Sequence, residues 1–91
     1  MHRFWWRINK AESLGACLQF AQQAMQRRNY KIDNIAADKD YLVLGGDDKV
    51  SCMVVCCPIA SGTHIVIGTF SSDRRTAELA RDDIRGYIQG A

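Results

Sequence analysis

After Asn29 the apolar residues stop recurring at helical spacing and begin to alternate, and this change of period decides what the chain can fold into. Tyr30 to Ile35, Tyr41 to Gly45, Val50 to Cys57 and Thr63 to Phe70 read as four strands. The segments between them, Ala36 to Asp40, Gly46 to Lys49 and Pro58 to Gly62, are short and rich in turn formers, so consecutive strands pair antiparallel as a meander.

The flanks complete the pattern. Phe4 to Ile8 is aromatic-rich and suits a further strand. Asn9 can cap a helix with Glu12 reaching back to it, and Leu14, Cys17, Leu18, Ala21, Ala24 and Met25 then follow at helical spacing to about Arg28. At the far end Ser71, Ser72 or Asp73 can cap a second helix with the apolar stripe Ala77, Ala80, Ile84, Tyr87 and Ile88. The expected architecture is a single α+β domain over residues 1–91. Its order is β-α-β-β-β-β-α, with an antiparallel four- to five-stranded sheet and both helices on one face.

A chain of 91 residues, 47% of them hydrophobic, supports one core but leaves little length for a large closed active site. Twelve Lys and Arg stand against ten Asp and Glu, which disfavours a nucleic-acid partner. No stretch approaches the roughly 20 apolar residues of a membrane span. The first ten residues hold no apolar run of the kind a signal peptide needs, so the expected location is cytoplasmic. The four cysteines, Cys17, Cys52, Cys56 and Cys57, form no C-x-x-C or zinc-finger spacing. Cys52 and Cys56 on one strand would lie roughly 13 Å apart, too far for a disulfide. Reduced thiols, no metal and no cofactor are expected.

Turn lengths suggest a register. Ile35 opposite Tyr41, Gly45 opposite Val50 and a five-residue loop closed by Cys57 and Thr63 would place Cys56 opposite His64 and Val54 opposite Val66. One face then gathers Tyr30, Ile32, Leu42, Leu44, Met53, Val55, Ile65 and Ile67 and seats the helices. The other gathers Lys31, Asp33 and Ile35 at one edge, with Tyr41, Val43, Cys52, Val54, Cys56, His64, Val66 and Phe70 beyond. Val50 to Cys57 is apolar at almost every position, whereas a strand covered on one side alternates apolar with polar. Something should therefore cover the second face.

A homodimer is the favoured cover, with a small apolar ligand, another protein or the aromatic N-terminus as alternatives. The expected function is thus a noncatalytic binding or assembly module acting through Tyr41, Val43, Cys52, Val54, His64, Val66 and Phe70. The rival is a thiol-dependent enzyme or redox sensor centred on Cys56 and His64, because an imidazole beside a thiol can take its proton. No third group to orient His64 is identifiable in the sequence. Gly45-Gly46-Asp47-Asp48 is explained by a hairpin turn, and Trp5, Trp6 and their arginines by one core and one rim position.

Overall fold

A computed structural model describes residues 1–33 and 41–91. The elements are β1 (His2–Lys10), α1 (Leu14–Arg27), β2 (Lys31–Asp33), β3 (Leu42–Gly46), β4 (Val50–Ile59), β5 (Gly62–Ser71) and α2 (Arg74–Gly90). They form one antiparallel five-stranded sheet in the spatial order β1-β5-β4-β3-β2, and the class is α+β in the expected element order. The expected pairing of Ile35 with Tyr41 and the loop Ala36 to Asp40 lie outside the described residues.

Both helices seat on one face. Lys10 Nζ reaches the end of α2 at Ile88 O (2.8 Å), and Thr69 Oγ1 donates to Ala77 O in α2 (2.7 Å). A Cβ on Gly45, which pairs with Cys52 of the same row, would stand 2.8 Å from the Met25 sulfur of α1. The helices meet through Tyr87 Oη donating to Gln23 Oε1 (2.9 Å) and through the ion pair of Arg28 with Asp83. Between the helices and the sheet, Ile8, Val43, Val54, Cys56, Ile65 and Ile67 meet Ala80, Ile84 and Ile88 of α2 in a continuous apolar core.

The ends of each helix follow from local chemistry. β1 runs on to Lys10, so Asn9 is a strand residue and Ser13 caps α1 instead, its Oγ accepting from Ala16 N at 3.3 Å. At the other end Asn29 takes φ 60°, a left-handed conformation that asparagine tolerates, and Tyr30 N folds back to Met25 O (3.0 Å). Asp73 caps α2, accepting from Thr76 N (3.3 Å) and Thr76 Oγ1 (2.5 Å). These bonds to the ionised form, the one from the Thr76 hydroxyl first, hold the Asp73 carboxyl below its ordinary value. Its contribution to stability is therefore present above about pH 4, the ordinary carboxyl value, and is lost as pH falls through the lowered one. Asp73→Ala should lower the melting temperature at pH 7, and the difference from the native chain should shrink as acid protonates the carboxyl, measured by circular dichroism.

The register differs from the sequence expectation at each described hairpin. Leu44 pairs with Asp33 and so shares no face with Ile32, and Gly45 pairs with Cys52 rather than Val50, a two-residue shift that keeps its face. β4 and β5 are joined by a two-residue turn, Ala60-Ser61, with Ile59 opposite Gly62, rather than by a loop from Pro58 to Gly62. Pro58 lies inside β4, beyond Val55 where the described pairing with β3 ends, so its missing N–H costs no ladder bond on that side. Gly62 is fixed by its φ of +143° and by space, because a Cβ there would lie 2.0 Å from Lys10 O. The tighter turn shifts β5 by one residue relative to β4. Cys56 pairs with Ile65, Cys57 with His64 and Val54 with Ile67.

Candidate functional site

A one-residue shift moves a strand's whole set of side chains to the other face. Val43 (4% exposed), Cys52 (2%), Val54 (0%) and Cys56 (0%) consequently share the helix-covered face with Ile65 and Ile67 and belong to the core. They are not surface residues, and the expected face through Val43, Cys52 and Val54 is corrected on this point. His64, Val66 and Phe70 do lie on the uncovered face. Tyr41 stands just before β3, exposed, with its carbonyl accepting from Cys56 N at 2.7 Å.

The open face is built by a different set. β3 supplies Leu42 and Leu44, β4 supplies Met53 and Val55, and β5 supplies Val66 and Phe70, all half-buried. β1 adds Trp5, whose ring lies on Gly68 directly opposite; a Cβ on Gly68 would stand 2.6 Å from the indole. Trp5 also meets Phe70 edge to face, with ring centroids 5.4 Å apart, yet remains 47% exposed. Arg3 and Arg7 border this apolar band on β1, and Lys31 and Asp33 border it on β2. No described element covers it.

At one end of the same face three adjacent strands bring Asn9, His64 and Cys57 into a row, since His64 pairs with Asn9 on one side and Cys57 on the other. His64 Nδ1 and Asn9 Oδ1 are 2.6 Å apart. With the amide oxygen accepting, Nδ1 carries the proton and Nε2 the lone pair. Cys57 is exposed, whereas Cys17, Cys52 and Cys56 are buried, and burial pushes the Cys52 and Cys56 thiols up to about 12. A thiol so disfavoured as thiolate is inert near neutral pH. The expected pairing of Cys56 with His64 is thereby replaced by Cys57 with His64. The orienting group that sequence reading missed is Asn9, which signalled only as a helix cap.

The four cysteines do not converge, and no group of three or more His, Cys, Asp or Glu side chains among the described residues could hold a metal ion. Among the described residues no helix is long and apolar enough to cross a membrane. No protein-family model matches the chain, and a search of curated proteins finds no match either.

Proposed function

We propose that the chain is a noncatalytic binding or assembly module that forms a homodimer through the open face of its sheet. The observation that supports this is the band formed by Trp5, Leu42, Leu44, Met53, Val55, Val66 and Phe70, apolar across four strands and uncovered by any described element. Two such faces packed about a two-fold axis bury the same residues twice, roughly 10 Å apart as stacked sheets are, and the surrounding Arg3, Arg7, Lys31 and Asp33 stay at the rim. Light scattering after size exclusion should give twice the 10.2 kDa chain mass. A monomer at high micromolar concentration overturns the reading.

The row Asn9, His64 and Cys57 favours a second reading, a thiol-dependent enzyme or redox sensor. Here His64 Nε2 takes the Cys57 proton while Asn9 holds the ring. This reading needs no dimer and is tested by the rate at which Cys57 reacts when His64 is replaced.

A further inference from the structure

β1 closes one side of the sheet. It pairs with β5 without interruption from His2 opposite Ser71 to Lys10 opposite Thr63, and no strand lies on its other side. Alternate residues of a strand turn N–H and C=O outward, so this nine-residue edge presents a row of donors and acceptors that no described backbone group meets. Neither a proline nor a bulge breaks it.

Cations outnumber carboxylates along that edge on both faces. Arg3 and Arg7 stand on the open face. On the helix face α2 lays Arg85 over Trp6 (4.4 Å to the ring centroid), and Arg81 over Phe4 (5.2 Å) and Trp6 (5.5 Å). Arg74 stands 6.0 Å from the Phe4 centroid. Arg81 is paired with Asp82 at 2.8 Å. Among the described residues Arg3, Arg7, Arg74 and Arg85 have no carboxylate partner, and Arg85 Nε is buried without an acceptor.

We propose that the outer edge of β1 docks an acidic, extended polypeptide segment, which adds to the sheet as one more antiparallel or parallel strand. The backbone row supplies the hydrogen bonds, and Arg3 and Arg7 on the open face select carboxylates on alternate residues of the incoming strand. A second copy of this chain is disfavoured at the same edge because it would bring arginines against arginines. Single-stranded nucleic acid fits less well, because the aromatic faces it would stack on are occupied: Trp6 by Arg85, Phe4 by Arg81 and one face of Trp5 by Gly68. This site adjoins the proposed dimer face, with Arg3 and Arg7 at the rim between them, but its backbone row lies on the outer edge of β1 and needs no dimer.

The experiment titrates the full chain with three probes: an end-blocked peptide of four Glu-Val repeats, its Lys-Val counterpart, and an oligothymidylate of eight nucleotides. Amide shifts and amide hydrogen exchange are followed by NMR. The Glu-Val peptide should bind and slow exchange at alternate amides of β1 by about tenfold or more, with weakening as salt rises. Arg3→Glu with Arg7→Glu, both exposed in the native chain, should weaken it at least tenfold. The proposal is overturned by no binding of the Glu-Val peptide at millimolar concentration, or by equal binding of the Lys-Val peptide. It is equally overturned by binding that leaves β1 exchange unchanged, or by preferential binding of the oligothymidylate.

Discussion

Val54→Asp is expected to destroy the fold, whereas Val55→Asp, one residue along the same strand, is expected to leave it intact and abolish the dimer. Val54 is 0% exposed beneath the helices, opposite Ile67 and Val43, with no cation within the core to meet a carboxylate. A buried, unpaired charge costs about 3–5 kcal/mol or is protonated at comparable expense. A chain of this length has roughly 5–13 kcal/mol of stability, so the melting temperature should fall by about 20 °C or the cooperative transition should vanish. Val55 is half-buried on the open face opposite Val66. An aspartate there keeps water on one side and should shift stability by only about 1 kcal/mol. In a dimer interface, however, two copies of it would be desolvated together, so light scattering should return the monomer. Equal thermal melts for the two variants would contradict the register, and a Val55→Asp protein that still dimerises would contradict the interface.

Thiol accessibility gives the second large effect. In native protein at pH 8 a thiol-reactive disulfide reagent should modify Cys57 alone, with Cys17, Cys52 and Cys56 reacting about a thousandfold more slowly, since they require the core to open. Mass spectrometry after quenching identifies the sites. His64→Ala should slow the reaction of Cys57 severalfold if the imidazole serves as its proton acceptor, and Asn9→Ala should give part of the same loss through the freed ring. An unchanged Cys57 rate in His64→Ala removes the thiol reading and leaves the assembly reading untouched. The buried pair also has a consequence for alkaline stability. Because Cys52 and Cys56 are held up to about 12 by burial, the unfolded chain loses those protons first, near the ordinary value of 9.0. Stability is full below that pH and declines as pH rises toward 12.

The element order was legible because helices and strands write different periods. Ala77, Ala80, Ile84 and Ile88 mark the face of α2 that is buried, and the alternation in Thr63 to Phe70 marks β5 as a strand. Boundaries were less legible. Asn9 has a cap's chemistry but is held in β1 by pairing with His64, which no local signal records. Pro58 carries a loop signal but sits in a strand, because β3 no longer flanks β4 there.

The candidate site was legible as a surplus of apolar residues, and the identity of those residues was not. Val50 to Cys57 is apolar at successive positions, so alternation within β4 does not say which half faces the helices. The sequence by itself determined the helix and strand periods, the antiparallel meander and the excess of apolar surface over what two helices can cover. The tertiary structure decided the β4–β5 register. The tight Ala60-Ser61 turn, with Gly62 closed against Lys10, shifts the pairing by one residue and sends Val54 and Cys56 into the core. Met53, Val55 and Cys57 go to the open face. A period of two carries no memory of its phase, and the phase is set by a turn and by the helices that must pack on one side of it.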